Sequence, residues 1–222
     1  MPDVGTESRL LKDLVSGTAS ALKLLPSGSL LEWGESGERA YGSASVLREA
    51  RWLVSSVLRT SPADLQYREI IGDTIPAWQV AAIEKAVKRR LAGEPLAYAT
   101  GSAAFRELEL YVDHRVLIPR PETELVVEQA LVASAEHPGG IAVDIGTGSG
   151  AIALSLALEG RFDRVIGTDV SADALELARL NADHLAGQPG AEGLCAALEF
   201  RLGPDLEPIR DVKARVLVSN PP

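Results

Sequence analysis

Apolar residues recur every three or four positions in the first part of the chain. In the last part they crowd into short runs separated by glycine. "LLKDLVSGTASALKLL" places Leu10, Leu11, Leu14, Val15, Leu22 and Leu25 mostly on one stripe, which predicts an amphipathic helix. "SASVLREARWLVSSVL" does the same with Leu47, Ala50, Leu53, Val54, Val57 and Leu58. Ser61-Pro62 supplies an N-cap and a proline suited to the first helical turn. "PAWQVAAIEKAVKRRLAG" predicts another helix, opened by Pro76 and stopped by Gly93. "PSGSLLEWGESGERAYGS" is rich in Gly and Ser and predicts a loop. Together these segments predict a small helical bundle over residues 1–94, with the apolar stripes as its core.

The period then changes. "LELYVD" alternates, with Leu108, Leu110 and Val112 on one face, and reads as a strand. With "EPLAYATGSAAF" before it, the pattern predicts a hairpin-like connector over 95–113. In "VLIPRPETELVVEQALVASA", Pro119 and Pro121 fix an extended turn, and Thr123 is placed to cap the helix that follows. From residue 141 strands and helices alternate. "IAVDIG", "RVIGTDV", "ALEFRL" and "ARVLVSN" read as four strands. "SGAIALSLALEG" and "SADALELARLNADHLAG" read as helices, the second with Ser171 as N-cap. That order predicts an α/β domain over 114–222, a parallel sheet with helices on its faces.

Composition narrows the function classes. The 222 residues are 46% hydrophobic and 24% charged, an ordinary globular balance. The net charge of −9 argues against general nucleic-acid affinity, which needs a basic footprint. Lys85, Lys88, Arg89 and Arg90 cluster at helical spacing and read as a solvated helix end, where cations favour the dipole. Cys195 is the single cysteine, and His114, His137 and His184 lack zinc-ligand spacing, so no metal is expected. Arg9, Lys12 and Asp13 interrupt the N-terminal apolar stretch, so no signal peptide is predicted. The longest apolar run, Ala151–Leu158, is too short to span a bilayer. A cytoplasmic monomer with no membrane contact is the expectation.

Chemistry concentrates in two places. "DIGTGSG" hands the first strand of the sheet to its helix through Asp144, Gly146, Thr147, Gly148, Ser149 and Gly150. Glycines let the chain turn sharply and let a ligand approach a helix N-terminus. The spacing alone is ambiguous, since Gly146, Gly148 and Ala151 also satisfy a dinucleotide fingerprint. Asp144, two residues before the first glycine, is suited to the ammonium of an amino-acid-like ligand. Asp169, at the end of the second strand, is suited to ribose hydroxyls. The pair fits S-adenosylmethionine better than a dinucleotide.

The second place is "SNPP", at the carboxyl end of the fourth strand, the edge where open α/β sheets bind ligands. An amide or aryl amine is a poor nucleophile because its lone pair is delocalised. "NPP" in isolation could be a rigid turn, but after "DIGTGSG" and "TDV" it resembles the Asn-Pro-Pro-aromatic motif of amino-methyltransferases. That resemblance implies that the Asn220 side-chain oxygen and the Pro221 carbonyl each accept one N–H and aim the nitrogen lone pair at a methyl carbon. The sulfonium leaving group is already activated, so neither metal nor covalent intermediate is needed.

At these residues the chain resembles the release factor glutamine methyltransferases. The resemblance runs from about Arg89 to Pro222, through "RRLAGEPLAYATG", "VLIPRPETELVVE", "DIGTGSGAIALSLA", "GTDVSADALELARLNA" and "VSNPP". It implies a Rossmann-like class I methyltransferase sheet behind a helical bundle. The implied reaction is methyl transfer from S-adenosylmethionine to N5 of the glutamine in the Gly-Gly-Gln motif of class 1 peptide-chain release factors. Carried over, Gly146–Gly150 and Asp169 hold the cofactor, and Asn220, Pro221 and Pro222 the glutamine amide. "PRPETE" resembles the family's segment beside the cofactor, which implies cofactor roles for Arg120, Glu122 and Thr123. Two departures stand out. Pro204-Asp205 occupies the place of an acidic–aromatic pair, leaving Asp205 to meet the adenine amino group without a stacking ring. The family motif also continues with an aromatic residue and further strands, so the chain is expected to be C-terminally incomplete. The alternatives are a nucleic-acid amino-methyltransferase acting on adenine N6 or guanine N2, an inactive cofactor-binding fragment and, more distantly, an NAD-dependent enzyme.

Overall fold

The computed structural model describes residues 8–25, 43–191 and 193–221. The chain divides into two compact units, with the boundary between Gly101 and Ser102.

The first unit contains β1 (Arg9–Leu10), α1 (Leu11–Leu22), α2 (Ser43–Leu58), α3 (Pro62–Ile70), β2 (Thr74–Ile75), α4 (Ala77–Leu91) and α5 (Leu96–Thr100). The predicted stripes form its core, where Leu11, Leu14, Val15, Leu53 and Val54 pack with Leu65, Ile75 and Ile83. Ser61 caps α3 as expected, its Oγ accepting from the Asp64 N–H at 3.0 Å. Leu10 leaves the α1 stripe and pairs instead with Thr74 in the two-residue antiparallel ladder β1–β2. The segment 94–101, read as part of a hairpin, turns helical as α5 and stops at Gly101, whose φ of +77° closes the helix in the left-handed region. The basic end of α4 also differs from expectation. Arg90 is buried and donates from Nε to Glu49 Oε1 at 2.8 Å, while Arg89 forms a fork with Glu94. Tertiary packing has turned part of a surface charge run into an internal ion pair. The predicted Gly/Ser loop lies, for residues 26–42, outside the described residues.

The second unit begins with the hairpin β3 (Ser102–Phe105) and β4 (Leu108–Tyr111), paired from Ser102↔Tyr111 to Phe105↔Leu108. Its turn residue Arg106 has φ +51°, donates from Nε and Nη2 to the Glu159 carboxylate, and donates its backbone N–H to Glu124 Oε1. A 3-10 turn (Pro121–Thr123) leads into α6 (Glu124–Glu136). Then follow β5 (Ile141–Ile145), α7 (Ala151–Glu159), β6 (Arg164–Asp169), α8 (Ala172–Ala186), the short α9 (Leu194–Ala197), β7 (Leu198–Leu202) and β8 (Ala214–Ser219). Ser171 caps α8 by accepting from the Ala174 N–H at 3.2 Å. Thr123 does not cap α6, and its side chain makes no cap hydrogen bond.

The four strands β5 to β8 form an all-parallel sheet in the order β7-β6-β5-β8. The chain winds outward from β5 to β7, then returns to the other side of β5. This reversal makes the carboxyl ends of β5 and β8 a topological switch point, the place where such sheets take ligands. Both sheet faces are apolar. Ala142, Val165 and Val218 pack with α6, α7 and the hairpin, and Val143 and Ile166 pack with Ile209. "IAVDI" is therefore apolar on both faces except at Asp144. Among the described residues no helix is long and apolar enough to cross a membrane.

Candidate active site

The loop after β5 is built from three glycines in the left-handed region: Gly146 (φ +73°), Gly148 (φ +54°) and Gly150 (φ +85°). Their surroundings differ. A Cβ on Gly146 or Gly148 would meet nothing within 4 Å, whereas one on Gly150 would sit 3.0 Å from Leu154 Cδ1 and 3.3 Å from Ala178 Cβ. The first two leave open space over the loop, and the third lets α7 and α8 approach closely. Gly146 and Thr147 both donate backbone N–H groups to the Thr168 carbonyl, tying the loop to β6.

Asp144 lies under this loop with no solvent exposure. Its Oδ2 accepts from Thr147 Oγ1 at 2.6 Å and from the Ala153 N–H at 3.2 Å, while Oδ1 has no partner. Burial pushes this carboxyl up to about 6, against the two hydrogen bonds that favour its anion; the nearby Asp169 charge adds a smaller push upward. An orphaned buried carboxylate oxygen is an acceptor that a cationic ligand group relieves.

Asp169 ends β6 with each carboxylate oxygen held by a backbone donor. Gly148 N–H reaches Oδ2, and Ser171 N–H reaches Oδ1, both at 2.9 Å. The carboxylate is thus fixed in orientation and keeps lone pairs for two further donors, as a ribose diol requires. Gly203 N–H donates to the Asp169 carbonyl at 2.9 Å, which brings the turn carrying Asp205 beside it. Asp205 is exposed there with φ +46°. Three apolar side chains missed in the sequence, Val170, Leu202 and Leu206, stand exposed along this edge. Leu202 is the register partner of Asp169.

Asn220 and Pro221 follow β8 at the same carboxyl edge, both exposed. Ser219 Oγ donates to the Ile145 carbonyl at 2.9 Å, anchoring the end of β8 to β5. Asn220 Nδ2 donates to Thr123 Oγ1 at 2.8 Å. Arg120 and Glu122 are exposed on the turn before α6, and Pro222 lies outside the described residues. The topology thus gathers the glycine loop, Asp169, Asp205 and Asn220 along one edge.

A further missed residue is Asn181 in α8. It is fully buried, accepts from the Tyr111 N–H at 2.7 Å and donates to the carbonyls of Tyr111 at 3.1 Å and Ser149 at 2.8 Å. It staples the hairpin to the glycine loop. A readable signal existed, because Asn181 falls on the same helical stripe as Leu177, Ala178 and Leu185.

A glycine loop under a parallel sheet, a ribose-suited carboxylate on the next strand and an Asn-Pro at the switch point define a methyltransferase domain of the S-adenosylmethionine-dependent class. Residues 123–222 match the family described as "Methyltransferase small domain", and residues 29–101 match "PrmC N-terminal domain". The release factor glutamine methyltransferase of Chlorobaculum tepidum is 42% identical over 156 residues, covering 65% of this chain and 50% of that protein. The Vibrio cholerae protein of the same name is 43% identical over 144 residues, covering 64% and 47%. That of Escherichia coli is 47% identical over 108 residues, covering 49% and 39%. Over these stretches the chain is similar to the release factor glutamine methyltransferases. It spans about half the length or less of these relatives.

Proposed function

We propose that the protein transfers a methyl group from S-adenosylmethionine to N5 of a glutamine in peptide-chain release factors, the one in their Gly-Gly-Gln motif. The observation that supports this reading is that β8, which leads into Asn220, pairs in parallel with β5, which leads into the Gly146–Gly150 loop. S-adenosylmethionine, when bound, supplies a methyl group activated by its positively charged sulfur. Asp144 and the loop fit the amino-acid end, the former through its unpaired Oδ1. Asp169 fits the ribose diol, and Asp205 with the apolar edge at Val170 and Leu202 fits the adenine. Arg120 and Glu122 flank the site from the turn before α6.

On the acceptor side, Asn220 Oδ1 and the Pro221 carbonyl each accept one N–H of the glutamine amide, with Pro222 the next residue of the same motif. Holding both hydrogens in place turns the nitrogen lone pair out of conjugation and toward the methyl carbon. The new C–N bond takes the nitrogen pair, the C–S pair returns to sulfur, and one amide proton leaves to solvent. The rate gain comes from orientation and from stabilising the positive charge that develops on nitrogen.

The test uses the full-length protein with labelled S-adenosylmethionine, a Gly-Gly-Gln release factor, and DNA and RNA as competing acceptors. Label is expected in the release factor, and label in nucleic acid alone refutes the reading. Asn220→Ala is expected to abolish nearly all transfer while leaving cofactor affinity intact, and Asp169→Ala to weaken the cofactor first.

A further inference from the structure

Thr123 and Asn220 are 97 positions apart yet meet through a 2.8 Å hydrogen bond. The Thr123 residue is buried at the start of α6, although its side chain is released from the capping role its sequence position suggests. Its backbone is locally fixed, with Pro121 opening the 3-10 turn and the Thr123 N–H bonded to the Arg120 carbonyl at 3.0 Å. Asn220, by contrast, is an exposed side chain at the end of a strand, with rotamers to choose from.

We infer that Thr123 is a positioning residue for the acceptor amide rather than a cofactor contact. An asparagine amide has one donor end and one acceptor end. With Nδ2 turned to the fixed Thr123 oxygen, Oδ1 is turned the opposite way, with its lone pairs uncommitted among the described residues. That is the end an incoming amide N–H requires. Thr123 thus selects the productive orientation of the amide and freezes a side chain that would otherwise lose rotamer freedom only when substrate arrives. The "PRPETE" and "SNPP" segments accordingly act as one unit on the acceptor side. The inference rests on the proposed role of Asn220.

The experiment compares Thr123→Val, which keeps the shape and removes the hydroxyl, with Thr123→Ser, which restores it. Both are made in the full-length protein. S-adenosylmethionine affinity is measured by calorimetry, and kcat and KM with release factor as acceptor. Thr123→Val is expected to lower kcat by about 100-fold, the scale of a misplaced reacting group. Cofactor Kd should stay within about twofold, and Thr123→Ser should recover most of the rate. A Kd that weakens in step with the rate overturns the inference, as does an unchanged kcat. Asn220→Ala separates the two levels of argument. If that variant stays active, the amide-orienting reading itself fails; if it is inactive while Thr123→Val is active, only the positioning role fails. Should Thr123→Val fold poorly, the wild-type Asn220 side-chain NH2 resonance, assigned by its loss in Asn220→Ala, replaces it. Protected, slowly exchanging hydrogens support the inference, and exchange at the rate of a free amide overturns it.

Discussion

Replacing Asp144 by asparagine tests whether burial, rather than hydrogen bonding, governs the carboxylate beneath the glycine loop. The side chain is wholly enclosed, and its carboxyl is raised from 3.8 to about 6. Between those values the folded protein keeps a proton that the unfolded chain has released. Stability from this group therefore falls as pH rises through the window, and the penalty is complete above about pH 6. The gap between 3.8 and about 6 corresponds to about 3 kcal/mol. The Asp144→Asn side chain carries no charge at any pH, so the stability difference between variant and wild type should swing by about 2–2.5 kcal/mol toward the variant from pH 4 to pH 7. The paired carboxylates Asp73, Asp113 and Asp211, whose pKa values are lowered, contribute in the opposite direction but cancel in the difference. All three tryptophans, Trp33, Trp52 and Trp78, precede Gly101, so their fluorescence reports the first unit. Hydrogen exchange of the β5 amides in denaturant reports the second. A difference that stays flat across this range would refute the reasoning.

Three further outcomes follow from the packing. Asn181→Ala leaves the Tyr111 N–H and the Ser149 carbonyl without their side-chain partner. At about 1–3 kcal/mol for each buried group left unsatisfied, exchange protection of the second unit should fall by several kcal/mol. Cofactor affinity, measured by calorimetry, should fall with it because the glycine loop loses its staple. Gly167→Ala places a Cβ 2.8 Å from the Phe200 ring and 2.9 Å from Thr147 Oγ1 in the middle of β6. It should cost about 1–3 kcal/mol of overpacking, read by the same exchange experiment. In the first unit, Glu49→Ala removes the carboxylate to which the buried Arg90 donates from Nε. Urea unfolding followed by tryptophan fluorescence should show a loss of about 3–5 kcal/mol, and the double change Glu49→Met with Arg90→Met should recover most of it.

Local order was legible in the sequence because it depends on near neighbours. Hydrophobic periods marked α2, α4 and α8. Ser61 and Ser171 marked the caps of α3 and α8, and "IAVDIG" and "ARVLVSN" marked strands within a residue of β5 and β8. The glycine loop was legible for the same reason: strand, turn and helix start are contiguous, and only glycine readily tolerates the positive φ values found there. Asn220 stood out because Pro221 and Pro222 close an apolar run at the carboxyl end of a predicted strand.

What the tertiary structure alone decided involves residues far apart in the chain. The order β7-β6-β5-β8 sets Asn220 against Thr123 and turns an expected helix cap into a hydrogen-bond partner of the Asn220 side chain. Packing of α4 on α2 buries Arg90, which its neighbours Lys88 and Arg89 had marked as surface. Burial also raises the Asp144 pKa, since desolvation depends on everything packed around a charge and not on the residues beside it in sequence. Periodicity says which face of an element is apolar; only the assembled sheet says which polar groups that face will meet.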